Sequence, residues 1–349
     1  MAKKPPEGQF RSGSSRPVCF QQRWPWIGPD LQTLRDTLHA PWLGPDQGQP
    51  RLVAVSPSEQ LRVQVDPPLG AARGWVVAVH GLGGSAAGLG LRRLAATLQR
   101  RGFGVWRLNL RGAGGSRPLA PGTWSAACWR DVLPVLAAAR LQAKGLPVAG
   151  IGLSLGGTVL LNALRQTADA LDALICVSSP LDLPAAVQQL ERPRNRFYQW
   201  WLLRRLVQQT LDDPFLPASE RSRLAAVLAA VRCIRDFDSC ITAPRWGYAS
   251  AAAYYRQASP LQSLRADRCA GLAPTLLLHA RDDPWVPAAA AEALASDPPA
   301  ALQCCLPAHG GHNGFHGYGG SYGHGRDSQG SWSDQLAAEW LLDVLPLRV

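Results

Sequence analysis

The stretch Pro147-Val148-Ala149-Gly150-Ile151-Gly152-Leu153-Ser154-Leu155-Gly156 joins an apolar run to a G-x-S-x-G pattern. The apolar run predicts a buried strand, and the pattern behind it predicts a sharp turn from that strand into a helix. Glycines on both sides of the serine let the two chain segments approach, because they carry no Cβ. We therefore expect Ser154 to stand clear of a sheet as a nucleophile, beside the N-terminus of a helix.

Backbone amides near this turn are candidates for an oxyanion hole. The amide of Leu155 would point at the charge that develops when Ser154 attacks a carbonyl group. A second donor is expected from the glycine-rich loop His80-Gly81-Leu82-Gly83-Gly84-Ser85, which follows the predicted strand 75–79. We predict that the amides of Leu82 and Leu155 form this hole.

The glycine-rich loop also loosely matches a dinucleotide-binding pattern. That interpretation requires an acidic residue about 20 positions further on to bind a ribose. No Asp or Glu occurs between Asp66 and Asp131. We therefore expect no nucleotide cofactor.

Acids and histidines follow two later predicted strands. A serine hydroxyl becomes a strong nucleophile when a histidine takes its proton and a carboxylate orients that histidine. Asp282 and Asp283 follow the predicted strand 274–279, and His309 and His312 follow the predicted strand 302–306. The chain order Ser, Asp, His is that of the α/β-hydrolase fold.

One residue of each pair is preferred for the triad. Asp283 lies four residues before Pro287, the usual offset of the acid in this fold, whereas Asp282 remains the alternative. His312 follows two glycines that would let its loop bend over the nucleophile, and His309 remains the alternative. The predicted catalytic residues are thus Ser154, Asp283 and His312.

Strand and helix patterns alternate along most of the chain. Such βα repeats predict an α/β fold with a mostly parallel central sheet and helices on both faces. After the predicted strand 172–178, residues 181–265 carry helical patterns without a strand, which predicts a helical cap inserted there. Within the cap, an apolar run at 197–203 between arginines indicates either a helix packed on the core or a wall for an acyl chain or membrane.

The length of 349 residues and the 46% apolar composition favour a single domain spanning 21–349, with the cap at about 181–265. We expect residues 1–20 to be disordered and the chain to be irregular up to about residue 50. Its tryptophans at 24, 26 and 42 are expected to pack on the main body. The Gly/His-rich stretch 313–331 is expected to be a mobile surface loop.

Composition limits the classes of partner. The net charge of +11 comes from scattered arginines, with only three lysines, whereas a nucleic-acid-binding protein concentrates its charge on one face. We therefore expect no nucleic-acid partner, while peripheral contact with an anionic membrane stays an alternative. The eight irregularly spaced cysteines are typical of reduced thiols, and the histidines near them match no zinc spacing, so no metal is expected.

No apolar run reaches the roughly 18 residues of a membrane span, and the basic N-terminus is followed by polar residues rather than by the core of a signal peptide. A cytoplasmic location is therefore expected.

Several ordered motifs together resemble the YheT-like branch of the α/β-hydrolases, relatives of the animal hydrolase-domain lipases and esterases. Beyond those above, they are Arg107-Leu108-Asn109-Leu110-Arg111-Gly112-Ala113-Gly114-Gly115-Ser116, Arg235-Asp236-Phe237-Asp238, Gly247-Tyr248, Tyr254-Tyr255-Arg256-Gln257 and His309-Gly310-Gly311-His312-Asn313-Gly314-Phe315.

The resemblance spans roughly residues 20 to 345 and implies hydrolysis of carboxylic or lipid esters. It also implies that Ser154, Asp283 and His312 form the triad. The alternatives are an acyltransferase that uses the same residues and a non-catalytic ligand-binding protein on this fold.

Overall fold

Buried apolar strands form the centre of the structure, a computed structural model that describes residues 20–266, 271–318 and 331–345. The strands in these ranges are β1 Gln21–Gln22, β2 Gln49–Ala54, β3 Gln60–Asp66, β4 Gly74–Val79, β5 Phe103–Leu108, β6 Val148–Leu153, β7 Ala173–Val177, β8 Thr275–Leu278, β9 Leu302–Cys305 and β10 Gly317–Tyr318. In the described part, eight of them form one sheet in the order β2-β3-β5-β4-β6-β7-β8-β9. The sheet is parallel from β5 to β9, and β2 and β3 are antiparallel additions at one edge.

Helices cover both faces of this sheet. They are α1 Pro29–Leu38, α2 Leu89–Arg100, α3 Trp129–Ala143, α4 Leu155–Leu164, α5 Leu183–Leu190, α6 Arg196–Leu211, α7 Ala218–Ala229, α8 Ile234–Phe237, α9 Ala243–Arg245, α10 Ala251–Ala258, α11 Leu261–Ala266, α12 Ala289–Ser296 and α13 Trp332–Val344. Alternate residues of a strand point to opposite faces. In β4, Val77 and Val79 accordingly belong to the core with α3 and α4, whereas Val76 and Ala78 belong to the core with α2 and α13.

Helices α5 to α11 lie between β7 and β8 and form the predicted cap. Their apolar side chains build a third cluster that includes Leu183, Leu202, Leu206 and Phe237. The fold class predicted from the sequence, a mostly parallel sheet with helices on both faces and a cap after β7, is confirmed. Within the described ranges, no helix has both the length and the apolar character that crossing a bilayer requires.

The N-terminal region differs from the irregular segment predicted there. Residues 29–38 form helix α1, which starts at Pro29 as its first helical residue, and β2 begins at Gln49. Proline suits this position because the first amides of a helix have no partner within the helix. The prediction that the tryptophans pack on the main body is wrong for Trp24 and Trp42, which are 82% and 88% exposed. The predicted disordered leader, residues 1–20, lies outside the described residues except for Phe20.

The start of the Gly/His-rich stretch also differs from the predicted mobile loop. Strand β10 pairs with β1 in an antiparallel ladder. Phe315 is fully buried and lies against the rings of Phe20 and Trp332. Residues 313–318 are therefore part of the packed structure, and residues 319–330 of the predicted loop lie outside the described ranges.

Candidate active site

The turn between β6 and α4 places Ser154 at the end of a parallel strand. Its backbone has φ 53° and ψ −129°, a strained conformation for a residue other than glycine. The Ser154 amide donates to the carbonyl of Val177 at 2.8 Å, and its carbonyl accepts from the amide of Gly157 at 3.0 Å. These two hydrogen bonds hold the strained turn from both sides.

The glycines of the pattern are required by close backbone contacts. A Cβ on Gly152 would lie 2.1 Å from the nitrogen of Gly157, and one on Gly156 would lie 2.4 Å from the carbonyl oxygen of Val79. No side chain fits at either distance. The spacing of the motif thus follows from the contact between β4, β6 and the start of α4.

The three predicted catalytic side chains lie in one hydrogen-bonded row. The Ser154 hydroxyl donates to Nε2 of His312, with an Oγ to Nε2 distance of 2.8 Å. On the other side of the ring, Nδ1 of His312 donates to Oδ2 of Asp283, also at 2.8 Å. Because an ionised carboxylate only accepts, this contact places the ring proton on Nδ1 and leaves Nε2 free to accept.

Asp283 is suited to remain ionised although it is buried. Burial alone would raise the pKa of its carboxyl, but neighbouring His312 and His279 and the amide of Val286 outweigh burial and hold it below its usual value. Its Oδ1 accepts from the amides of Trp285 and Val286 at 2.8 and 3.0 Å. A charged carboxylate at this position can orient the imidazole and stabilise its cation.

The two alternative residues form a separate pair outside this row. Asp282 accepts a hydrogen bond from Nδ1 of His309 at 3.2 Å, and the His309 side chain is 60% exposed. Asp282 also accepts from the amide of Gly311 at 2.9 Å. This second pair therefore lies at the base of the loop that carries His312, where it holds the backbone.

The two predicted oxyanion donors border the cavity that contains Ser154. Leu155 is the first residue of α4, and the first amides of a helix have no partner within it. Leu82 lies in a tight turn closed by the Gly84 amide on the Gly81 carbonyl at 3.1 Å, a bond that leaves the Leu82 amide unused. Both amides therefore belong to short turns beside the serine.

His80 fixes this turn from below. Its Nδ1 donates to the carbonyl of Gly81 at 2.8 Å, and its Nε2 accepts from the amide of Leu110 at 3.2 Å. Burial lowers the pKa of His80 to about 4, so the ring is neutral near pH 7. In the sequence His80 stands out only as part of the glycine-rich loop, and no motif indicates this positioning role.

Two further contacts to His312 were also missed. The hydroxyl of Thr33 on α1 accepts from the His312 amide at 2.9 Å. The ring of Trp285 stacks on the imidazole, with centroids 4.5 Å apart and planes inclined by 24°. Nearby, Gln32 exchanges two hydrogen bonds with the backbone of His316, at 2.7 and 2.8 Å. Helix α1 therefore supports the loop that carries His312.

Two cavities meet at Ser154 and His312. The first lies under the cap and is open to solvent on one side. Its space not filled by protein atoms, open solvent included, is about 950 Å³, and it is lined mainly by apolar side chains such as Leu183, Val187, Leu202 and Leu206. The second lies toward α1, α2 and α13 and contains charged groups.

In the second cavity, Arg93 bridges two carboxylates, Asp36 at 2.5 Å and Asp334 at 2.8 Å. The imidazole of His316 lies 3.6 Å from Asp36. Ser154 therefore lies between an apolar cavity under the cap and a second cavity whose lining includes charged groups. In the part of the chain that the structure describes, no group of three or more His, Cys, Asp or Glu side chains is arranged to hold a metal ion.

Comparison with known proteins identifies the family to which this fold belongs. Residues 74–317 match the model of the family described as alpha/beta hydrolase fold. Over 282 residues the chain is 32% identical to YheT of Escherichia coli strain K12, which bears the name of a candidate esterase, and the match covers 77% of each chain. It is also 32% identical over 211 residues to phospholipase ABHD3 of Mus musculus, covering 59% of this chain and 50% of that protein.

Among solved structures, a soluble variant of monoglyceride lipase from Saccharomyces cerevisiae in complex with a substrate analogue superposes with a TM-score of 0.53. The match covers 87% of this chain and 97% of the lipase, at 16% identity, and therefore shows the fold alone.

The chain belongs to the α/β-hydrolase family and is one of its YheT-like members. The resemblance inferred from the motifs is confirmed, and the protein is a serine hydrolase of the α/β fold.

Proposed function

We propose that the protein hydrolyses carboxylic esters, lipid esters among them, through an acyl-enzyme formed on Ser154. The observation that carries this proposal is the row of two 2.8 Å hydrogen bonds from Ser154 through His312 to Asp283, at the point where the two cavities meet. The esterase and phospholipase names of the relatives support the same class of substrate.

The chemistry begins with attack of Ser154 Oγ on the ester carbonyl carbon while Nε2 of His312 takes the hydroxyl proton. Asp283 stays ionised and stabilises the imidazolium that forms. The amides of Leu82 and Leu155 stabilise the oxygen of the tetrahedral intermediate. When the carbon–oxygen bond to the alcohol breaks, Nε2 returns the proton to the departing oxygen.

Water then hydrolyses the acyl-enzyme, with His312 acting again first as base and then as acid. His312 takes a proton from water, the resulting hydroxide attacks the acyl carbon, and the proton then returns to Ser154 Oγ as the acid leaves. Both halves of the cycle begin with an unprotonated Nε2 on His312. The hydrogen bond from Nδ1 to Asp283 keeps the ring proton on Nδ1 and so leaves Nε2 unprotonated.

The two cavities suggest how the ester is oriented. An acyl chain would bury its methylene groups in the apolar cavity under the cap, because each buried methylene gains about 0.8 kcal/mol. The alcohol portion would then lie toward the second cavity, whose lining includes the ion-paired Asp36, Arg93 and Asp334. Leu202 and Leu206 of α6 line this apolar cavity under the cap. Their position supports the interpretation that this helix forms a wall for the acyl chain.

A fluorophosphonate probe tests this proposal because it reports an activated serine without needing the natural substrate. We expect the wild type to be labelled and Ser154→Ala to be unlabelled, with thermal unfolding showing that the variant is folded. A screen of esters of increasing acyl length would then define the substrate, and a competing alcohol would reveal acyl transfer by its ester product. Labelling that persists in Ser154→Ala, or folded wild type that is neither labelled nor active on any ester, would overturn the proposal.

A further inference from the structure

The cap contributes a carboxylic acid to the cavity under it. Asp238 begins a single turn of π-helix, Asp238–Thr242, that continues directly from α8. Such turns inside helices occur frequently at functional sites. Asp238 lines the cavity that also contains Ser154 and His312, although most of the lining is apolar.

Hydroxyl groups are the partners of this carboxylate. Tyr255 on α10 donates to Oδ2 of Asp238 at 2.7 Å, and the hydroxyl of Thr242 makes a second hydrogen bond. Both residues line the same cavity. Within the described ranges, no arginine, lysine or histidine forms an ion pair with Asp238.

Several buried carboxylates of this protein have an arginine partner, whereas the buried Asp213 accepts hydrogen bonds from two backbone amides. Asp66, Asp131 and Asp334 are each paired with an arginine at 2.7 to 2.8 Å. A carboxylate without such a partner is costly to remove from water, and the partial burial of Asp238 raises its pKa to about 6. Because an apolar side chain would line a purely apolar cavity at lower cost, the acid points to a polar ligand.

We propose that Asp238, with Tyr255 and Thr242, forms a polar subsite in the acyl cavity that binds a hydroxyl or amino group carried by the acyl chain of the ester. This inference rests on the ester hydrolysis proposed above. A carboxylate has about four lone-pair positions, and the two hydroxyl donors leave others for a ligand. A neutral hydroxyl is favoured over an ammonium group because it costs less to remove from water into an apolar space.

The test uses p-nitrophenyl esters in matched sets of increasing chain length. Each set contains the ester of the plain acid, the ester of the acid with a terminal hydroxyl and the ester of the acid with a terminal amino group. In a wholly apolar cavity the terminal hydroxyl would lower kcat/KM, because its hydration is lost without replacement. We expect instead that the hydroxy ester exceeds the plain ester at one chain length, where the hydroxyl reaches Asp238.

The variant Asp238→Asn removes the charge and keeps the side-chain shape. We expect it to reduce the ratio of kcat/KM for the hydroxy ester to that for the plain ester by about tenfold at that chain length. A hydrogen bond to a charged group contributes about 1.4 kcal/mol more than one to a neutral group, which corresponds to this factor. Asp169→Asn makes the same chemical change at an exposed position and should leave the ratio unchanged. Fluorophosphonate labelling verifies that each variant retains its active site.

The outcomes separate the two proposals. Wild type that hydrolyses the plain esters but favours no hydroxy or amino ester at any length overturns the subsite alone, and this result needs no variant. An unchanged ratio in folded Asp238→Asn also overturns it. A larger advantage for the amino than for the hydroxy ester identifies the amino group as the ligand of the subsite. Wild type without labelling or turnover of any ester rejects the ester hydrolysis itself.

Discussion

The hydroxyl oxygen of Thr33 lies 2.9 Å from the backbone nitrogen of His312, whose amide donates to it. The same hydroxyl donates to the carbonyl of Pro29 at 2.7 Å, so it is fixed at the start of α1. The proposed catalytic histidine is thus held by its ring on one side, through Asp283, and by its backbone on the other, through a residue near the N-terminus.

Replacing Thr33 with valine should lower the reactivity of Ser154 without unfolding the protein. The change keeps the shape and removes both hydrogen bonds of the hydroxyl. Loss of the bond from the His312 amide is worth about 1 kcal/mol and corresponds to about a fivefold fall in kcat. The measurement is the rate of fluorophosphonate labelling together with kcat and Tm. Thr33→Ser keeps the hydroxyl and should recover most of the rate, whereas equal rates in all three proteins would argue against a positioning role.

Asparagine at 283 should have a far larger effect than asparagine at 282. An amide at 283 can donate to Nδ1 and thereby favour the wrong tautomer of His312. The same change in the triad of a serine protease of a different fold costs about 10⁴ in kcat. Asp282→Asn disturbs only the contacts to His309 and to the Gly311 amide and should cost less than about tenfold. Steady-state kinetics on one ester compares them, and a reversed order would exchange the roles of the two acids.

Stability should fall in acid because of His80. Its pKa is lowered by burial from 6.5 to about 4 in the folded state, so the neutral ring contributes stability that is complete above pH 6.5 and lost as the pH falls through 4. The difference amounts to about 3 kcal/mol in the free energy of unfolding. Denaturant unfolding of wild type and His80→Asn between pH 7 and 4 measures it.

His80→Asn should lose less stability than wild type between pH 7 and 4. His39→Asn, at an exposed histidine, serves as the control and should follow the wild type. If the free energy of unfolding falls equally with pH in wild type and His80→Asn, this ring does not titrate as proposed.

Alanine at 156 should abolish both folding of the turn and labelling of Ser154. Its Cβ would lie 2.4 Å from the carbonyl oxygen of Val79, and the backbone of β4 cannot retreat without breaking the sheet. Gly90→Ala is the matched control, because its nearest neighbour, Leu153, would be at an ordinary 3.5 Å. Wild-type labelling of Gly156→Ala would contradict the packing argument.

The sequence allowed prediction of those parts of the candidate site that depend on local motifs. The turn that carries Ser154 was predicted because a strained strand-to-helix turn needs small residues at fixed positions. The choice of Asp283 and His312 followed from the offset to Pro287 and from two adjacent glycines, and these side chains now lie within hydrogen-bonding distance of each other. Their catalytic roles stay predictions until the variants are measured.

Contacts between distant segments could not be predicted in the same way. Helix α1 has a recognisable start in Pro29 and Asp30, but nothing in the sequence places Thr33 beside a residue 279 positions later. Strand β3 carries the alternating pattern Leu61, Val63 and Val65, which could have been recognised as a half-buried strand. Strand β2 is mostly exposed and contains a proline, as suits the edge of a sheet, so its pattern gives no such indication.

The insertion of the cap between two neighbouring strands has a consequence for how this protein could diversify. Helices α5 to α11 replace what would otherwise be a single crossover between β7 and β8, while Ser154 and His312 lie on other connections of the sheet. Recombination that exchanged this one segment for that of a related hydrolase would change the cavity under the cap. The segments that carry Ser154 and His312 would stay the same. Selectivity could in this way be inherited separately from reactivity.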